Sequence, residues 1–139
     1  MGNPENISFT FPGSKVPLNG GALKPGAANV VREATGSSVA TALAAGLAAL
    51  ILYCVQVRIM LAPKEGPERE KAKQDFEALK KHENMMKAFY DIGTTAESNH
   101  KFIEVWEVFG KQVEKKDHVD RDRWMELISD VGTTLCRKL

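Results

Sequence analysis

The sequence predicts an all-α fold with an extended amino-terminal arm, one transmembrane helix and about three amphipathic helices. Three observations lead to this fold class. Residues 34–57 carry no formal charge, glycine and proline are concentrated before them, and apolar residues recur at helical spacing after them. We therefore divide the chain into an extended arm at 1–33, a transmembrane helix at 34–62 and a soluble helical region at 63–139.

The charge-free run is long enough to cross a membrane as one helix. A bilayer-spanning helix needs about 20 apolar residues, and this run contains no proline. Thr35, Ser37 and Ser38 are suitable capping residues at its start, and Pro63 prevents the helix from continuing. The alternative is the central helix of a soluble bundle. A soluble helix of this length normally shows a polar stripe, so we expect a single transmembrane helix.

Small residues fill the first half of this span. They recur every four positions in two neighbouring rows, a spacing that lets the backbone of another helix approach closely in a membrane. We predict that six of them form a helix-packing surface: Ser38, Thr41, Ala42, Ala45, Gly46 and Ala49. The second half, 50–57, is bulkier and suits contact with lipid. The alternative is that alanine is simply frequent in this segment.

Residues 1–33 contain five glycines, four prolines and four asparagines. A segment of this composition cannot bury enough apolar surface to order itself. Within it, Ile7, Phe9 and Phe11 alternate with polar residues, a pattern typical of one short extended strand. We expect these three side chains to form a strap against a partner surface.

Beyond Pro63 the sequence becomes polar and helical. Gly66 and Pro67 predict a helix start, because proline is favoured at the first helical position. The helix is expected to continue to Gly93, since its apolar residues keep a helical spacing: Phe76, Leu79, Met86 and Phe89.

Two further helices are predicted after Gly93. Thr94–Glu97 has the spacing of a capping box, and the apolar stripe of this helix comprises Phe102, Val105, Trp106, Phe109 and Val113. The last helix begins near Asp120 and carries a similar stripe: Trp124, Leu127, Ile128, Val131 and Leu135.

A short pattern occurs twice, as DIGTT at 91–95 and DVGTT at 130–134. Helical-repeat scaffolds have a comparable period, although they need three or more copies for stability. The alternative is that both copies reflect the chemistry of helix ends.

The sequence offers no constellation for catalysis, a cofactor or a metal ion. His82, His100 and His118 are each 18 residues from the next, so no paired-histidine motif exists. Cys54 lies within the predicted span. Cys136 has Arg137 and Lys138 beside it, which would lower its pKa, although an exposed thiol without a role is the more ordinary interpretation. We expect no enzyme activity.

The balance of charge excludes a general attraction for nucleic acid. The chain has 19 basic and 18 acidic residues, and its short lysine runs are interrupted by acids. Basic residues are more frequent after the predicted span than before it, which places the carboxyl-terminal region on the cytoplasmic or matrix side.

One stretch resembles a known family. Its residues are Val16-Pro17-Leu18, Gly20-Gly21, Arg32 and Thr35, leading into a single small-residue span. Over residues 16–53 the chain resembles subunit VIIa of mitochondrial cytochrome c oxidase. The resemblance implies a single-span accessory subunit with an extended amino-terminal segment and no catalytic residue. It also implies that the amino terminus faces the matrix, which is opposite to the orientation that the charges favour. This chain departs from that family in its longer stretch before Arg32 and in its helical region, which has no counterpart there.

These observations predict a non-catalytic, single-span accessory subunit of a large mitochondrial inner-membrane complex, either of the respiratory chain or the ATP synthase. Its partners are the other subunits of that complex and membrane lipid. The alternative is a membrane-anchored adaptor whose carboxyl-terminal helical region recruits a soluble partner.

Overall fold

The computed structural model describes residues 9–18, 32–92 and 120–137, together with 94–95, 102–103, 105, 109–110 and 139. The chain is mostly helical, with one apolar helix of transmembrane length. The helices are α1 (Ser37–Leu61), α2 (Pro67–Leu79), α3 (His82–Ile92) and α4 (Arg121–Leu135). The strands are β1 (Val16–Leu18), β2 (Arg32–Ala34), β3 (Thr94–Thr95) and β4 (Phe102–Ile103).

The arm returns to the start of α1 through a pair of short strands. β1 and β2 are antiparallel, with Val16 opposite Ala34. Just outside this pair the backbone N–H of Gly36 donates to the carbonyl oxygen of Gly13 at 2.7 Å. The arm residue Gly13 therefore lies beside the first turn of α1.

The start of α1 differs from the expected cap. Gly36 occupies the N-cap position with φ 138°, a conformation that favours glycine, and no side chain caps the helix. Thr35 is used differently, because its Oγ1 accepts a hydrogen bond from the backbone N–H of Lys15 at 2.9 Å. The helix ends at Leu61, with Ala62 as C-cap before Pro63. Its bounds are thus slightly narrower than the predicted 34–62.

The region after α1 begins as expected and then breaks early. α2 starts at Pro67 with Gly66 as its N-cap. A single helix to Gly93 was the expectation, but the chain turns at Lys80 and Lys81 and starts α3. The carbonyl oxygen of Ala78 accepts from the backbone N–H of Lys81 at 3.1 Å and from the side-chain amide of Asn84 at 3.0 Å. These bonds satisfy the end of α2 and stop it there.

The predicted capping box at Thr94–Glu97 is wrong. Thr94 and Thr95 form β3, which pairs antiparallel with β4 so that Thr94 lies opposite Ile103. Threonine is β-branched and suits an extended strand. Ile103 is 2% exposed, so burial of its side chain supports the pairing.

α4 begins where the sequence indicates a helix start. Asp120 is its N-cap, and its carboxylate accepts from the backbone N–H of Arg121 at 2.6 Å. The repeated pattern has different structures at its two sites. Residues 130–134 lie inside α4, whereas Asp91 and Ile92 end α3 and Thr94–Thr95 form a strand. The two copies are not equivalent structural units.

The hydrophobic core forms around the second half of α1. Ile51, Val55 and Val57 are fully buried, and α1 packs most extensively against α4 and then against α2. The expectation that this bulky half suits lipid therefore needs correction, because much of it contacts the chain's own helices. Leu50 and Tyr53 remain 39% and 51% exposed on the other side.

Candidate functional site

The six residues predicted as a helix-packing surface lie on a side of α1 that the described chain leaves exposed. All of them are exposed: Ser38, Thr41, Ala42, Ala45, Gly46 and Ala49. A Cβ placed on Gly46 would have no heavy atom within 4 Å beyond the neighbouring backbone of its own helix. These small side chains therefore remain accessible to another molecule.

This exposed side continues along the whole helix. We call it the open face and define it by the exposed residues Ser38, Ala42, Ala45, Gly46, Ala49, Tyr53, Gln56 and Met60. At 1.5 Å per residue its length from Ser38 to Met60 is about 33 Å, close to the roughly 30 Å thickness of a bilayer's hydrocarbon core. None of its residues carries a formal charge. The side chains of the open face are small in the first half of the helix and bulky in the second half.

The single charge in α1 points away from the open face. The Arg58 guanidinium Nη1 contacts Asp75 Oδ2 of α2 at 2.7 Å. Asp75 is 2% exposed, and its other oxygen accepts from the Lys71 ammonium. Two cations thus compensate one buried carboxylate. Because Arg58 is held by Asp75, the open face stays uncharged to its end.

The back of α1 is covered by α4 at very short range. A Cβ placed on Gly132 would lie 2.9 Å from both the carbonyl carbon and the oxygen of Cys54. Only glycine permits this approach of the two backbones. The sequence pattern identified the large apolar residues of α4 but did not predict the contact made by Gly132. It also missed Asp75, an acid at the spacing of the buried residues Ala72 and Leu79.

The described part of the predicted strap contacts the chain's own helices. The Phe9 ring lies 5.5 Å from that of Phe89 and 4.6 Å from that of Tyr90, both in α3. Phe11 also packs edge-on against Phe89, at 5.9 Å. Ile7 lies outside the described residues. Phe9 and Phe11 therefore tie the arm to α3.

Two apolar grooves flank the open face and share Leu50. One is lined by residues of the arm, α1 and β4, among them Phe11, Ala42 and Gly46. The other lies between α1 and α4, beside Tyr53 and Trp124. Their linings are almost wholly apolar, so they suit apolar side chains or lipid rather than a polar substrate.

The candidate reactive residues are dispersed. Among the described residues no three metal-ligating side chains cluster. His82 is exposed at the start of α3, while His100 and His118 lie outside the described residues. Cys54 and Cys136 are both buried free thiols.

The structure contradicts both expectations for Cys136, because this thiol is buried and its pKa is raised. Burial of this thiol, with the Asp75 carboxylate nearby, raises its pKa from 9.0 to about 11, and the opposing influence of Arg58 and Lys71 is smaller. A raised pKa keeps the thiol protonated at neutral pH. Cys136 therefore lacks the thiolate that nucleophilic chemistry needs.

The comparisons with known proteins identify no family for this chain. The sequence matches no family model and no curated protein, and no solved structure matches its fold. By length and composition, α1 is the one helix in the described part of the chain that is able to cross a membrane. Only 22% of its most apolar stretch is buried, whereas the core helix of a soluble protein is mostly buried.

Proposed function

We propose that the protein is a non-catalytic accessory subunit of a large membrane complex, held in that complex through the open face of α1. In this proposal α1 crosses the mitochondrial inner membrane within a respiratory-chain or ATP-synthase assembly. The observation that carries the proposal is the open face itself, which is uncharged and exposed along the helix. Most of its residues are apolar, and soluble monomers rarely expose a continuous surface of this kind.

The start of α4 favours a subunit over a free membrane anchor. The groove between α1 and α4 begins at Leu50, which lies about 20 Å along α1 from Ser37. A hydrocarbon core of about 30 Å therefore also reaches the first turn of α4, where Arg121, Asp122 and Arg123 are exposed. Charges at membrane depth need protein or water around them. Neighbouring subunits supply such surroundings.

The extended arm gives a second reason to expect protein neighbours. Residues 9–14 run beside α1 without helical structure. Within a membrane, extended backbone is tolerated only where protein or a water-filled cavity surrounds it, because lipid offers no hydrogen bonds. One described bond, from the N–H of Gly36 to the carbonyl oxygen of Gly13, satisfies part of this backbone, and Thr10 lies in a β-bridge. A neighbouring subunit on the outer side of the arm would supply the protein surroundings that extended backbone needs.

The choice of membrane rests on the resemblance to subunit VIIa of cytochrome c oxidase. The similar residues, 16–53, include β1, β2 and the first part of α1. These residues include the half of the open face that has small side chains, and this half is suited to close contact with another membrane helix.

The experiment compares Gly46→Leu with the parent protein in native gels of membranes solubilised in mild detergent. We expect the parent to migrate with a megadalton-scale complex. A Cβ at Gly46 meets no neighbour outside the backbone of its own helix, so we expect leucine there to be accepted by the fold and to block close approach of a partner helix. A loss of about 1.4 kcal/mol of binding free energy would lower co-migration roughly tenfold. Resistance to alkaline carbonate extraction should stay unchanged.

Gly46→Ala is the matched control, because a methyl group still permits close helix contact. We expect this variant to assemble nearly as well as the parent. Full co-migration of Gly46→Leu with the complex would show that the open face is not the site of assembly. Extraction of the parent protein by carbonate would show that α1 does not cross a membrane.

A membrane-anchored adaptor is the second candidate. The observation that favours it is the core formed by α2, α3, α4 and the second half of α1, which holds these elements together. In an adaptor the carboxyl-terminal helices carry the partner site. Gly46→Leu would then leave partner recruitment unchanged, and the tagged protein would migrate as a small species.

A further inference from the structure

A polar cavity lies where the end of α1, the start of α2 and the last turns of α4 meet. Its volume is about 390 Å³, within the range of small-molecule sites in proteins. Its walls carry one cation, one acid, two hydroxyl groups and a short apolar segment: Arg58, Glu68, Ser129, Thr133 and residues 61–63. The two grooves beside the open face are almost wholly apolar, so this cavity suits a different kind of ligand.

Arg58 and Glu68 line this cavity without pairing with each other. Within the described ranges, Arg58 Nη1 contacts Asp75 at 2.7 Å, and Glu68 makes no ion pair. A guanidinium has five N–H donors, and no other described residue accepts from those of Arg58. The space between the two opposite charges therefore suits a molecule that carries both an anionic and a cationic group.

The hydrogen bonds around the cavity fix its walls and leave two hydroxyl groups for a ligand. Arg69 Nη1 donates to the carbonyl oxygens of Ile59 at 3.1 Å and Ala62 at 3.4 Å, which holds the turn from α1 into α2. In α4, Thr133 Oγ1 donates to the Ser129 carbonyl oxygen at 3.1 Å, so the Thr133 hydroxyl oxygen can still accept a bond. No described residue binds the Ser129 hydroxyl, which can donate.

We infer that this cavity binds the phosphoethanolamine headgroup of a zwitterionic phospholipid. The phosphate accepts from the free donors of Arg58 and from the Ser129 hydroxyl, because a guanidinium is well suited to phosphate oxygens. The primary ammonium donates to the Glu68 carboxylate and to the Thr133 hydroxyl oxygen. The inference rests on the proposed function for the presence of a membrane.

The lining distinguishes this headgroup from two other common ones. The quaternary ammonium of phosphatidylcholine has no N–H to donate and is typically held by aromatic side chains, and no aromatic residue is among the described residues that line the cavity. Phosphatidylglycerol brings no cation for Glu68, so the carboxylate would face only the negative phosphate, an unfavourable juxtaposition. We therefore expect a preference for phosphatidylethanolamine.

The position of the cavity favours a lipid over soluble phosphoethanolamine. Arg58 lies about 32 Å along α1 from Ser37, at the edge of a hydrocarbon core of about 30 Å, which is the depth of lipid headgroups. Leu61 lines the cavity and is 48% exposed, next to Met60 at 64%. Apolar surface for the glycerol and acyl chains therefore adjoins the polar lining.

Native mass spectrometry of the full-length chain in a maltoside detergent tests this site. The protein is mixed with phosphatidylethanolamine, phosphatidylcholine or phosphatidylglycerol of identical acyl chains, and the bound lipid per chain is counted. We expect phosphatidylethanolamine to bind most. Glu68→Gln should lower its binding roughly tenfold, because the ammonium loses a charged acceptor. Binding of phosphatidylcholine should change little.

Glu70→Gln is the matched control. Glu70 is also an acid of the first turn of α2, but it pairs with Lys73 at 2.7 Å and lies outside the cavity. This variant should bind each lipid as the parent does. Ser129→Ala tests the phosphate side and should weaken binding of all three lipids by a similar factor.

A preference for phosphatidylethanolamine that Glu68→Gln removes and Glu70→Gln retains supports the headgroup site. Equal binding of the three lipids, in a protein that resists carbonate extraction and co-migrates with its complex, overturns this site and leaves the proposed function intact. Extraction by carbonate without any lipid preference overturns both proposals.

Soluble phosphoethanolamine separates the two sources of this headgroup. We expect millimolar phosphoethanolamine to raise the unfolding temperature of the detergent-solubilised parent less than phosphatidylethanolamine does, because it lacks the apolar contacts at Leu61. Stabilisation by the soluble compound that depends on Glu68, without any preference among the lipids, would assign the cavity to a free zwitterion and overturn the lipid site.

Discussion

Gly132 of α4 packs directly on the backbone of Cys54 in α1, leaving no room for a side chain. A Cβ at position 132 would lie 2.9 Å from the Cys54 carbonyl. Gly132→Ala must therefore push α4 away from α1, and we expect a loss of about 1–3 kcal/mol of stability, as for other overpacked cores. Thermal or denaturant unfolding of the detergent-solubilised protein measures this loss.

Gly46→Ala is the control for the intrinsic effect of replacing a helical glycine. Since the site is open, alanine should be neutral or stabilise the helix by up to about 1 kcal/mol. Equal stability of the two alanine variants would contradict the close contact between α4 and α1.

Asp75 is the buried centre of a charge cluster, and Asp75→Asn removes its charge with little change in shape. Arg58, with a side chain 19% exposed, then loses its partner in a largely buried site. Breaking a buried pair in this way costs about 3 kcal/mol, and we expect a loss near that value in chemical unfolding.

Lys71→Met is the matched control for the second ion pair in the cluster. The Lys71 side chain is 55% exposed, so its contribution should be below about 1 kcal/mol. If Lys71→Met proved as destabilising as Asp75→Asn, the Arg58 pair would not be the main tie between α1 and α2.

Cys136 should be unreactive toward alkylating reagents near neutral pH. Its pKa is raised to about 11 by burial, and the thiolate is the reactive form. We expect modification of the folded chain, measured by mass spectrometry in a Cys54→Ala background, to rise only above about pH 10. Rapid alkylation at pH 7.5 without unfolding would contradict this burial.

The same raised pKa makes stability depend on pH in alkaline solution. An unfolded thiol titrates near pH 9.0, whereas Cys136 in the folded chain holds its proton until about pH 11. The unfolded state therefore releases the proton first, and folding stability should fall as pH rises between these values. Cys136→Ala should show a weaker alkaline decline.

Phe9 holds the arm to α3 through two ring contacts. Aromatic pairs contribute about 0.5–1.5 kcal/mol beyond their area burial, so Phe9→Ala should release the arm more often. Trypsin cleavage after the exposed Lys15 would then become about five times faster, the change expected for about 1 kcal/mol. An unchanged rate would show that Phe9 does not hold the arm.

Local signals in the sequence predicted some of these elements well. The proline at position 67, the aspartate at position 120 and the apolar run before Arg58 each act through nearby backbone, so the starts of α2 and α4 and the extent of α1 follow from them closely. The break after Leu79 was missed, because it depends on the Asn84 side chain reaching back to Ala78.

The long-range contacts could not be predicted from the sequence, for a different reason. The ion pair between Arg58 and Asp75 and the contact of Gly132 with Cys54 join segments that periodicity treats separately. An acid within a polar helix and a glycine within an amphipathic one have ordinary local explanations. For the candidate site, the helix-packing role of the small residues of α1 stays a prediction, and the covered back of the helix was not predicted.

The spacing of Arg58 and Asp75 has a consequence for biogenesis. Asp75 follows Arg58 by seventeen positions, so if α1 crosses a membrane as proposed, a chain delivered amino terminus first presents Arg58 before its counter-ion is available. An unpaired arginine at the end of an apolar helix resists further translocation, and it becomes neutralised only once α2 folds. We expect Arg58 first to stop translocation and then, once paired with Asp75, to hold α2 against α1. Nascent chains truncated before and after Asp75 should therefore stop at the same depth, while only the longer ones become protected from protease.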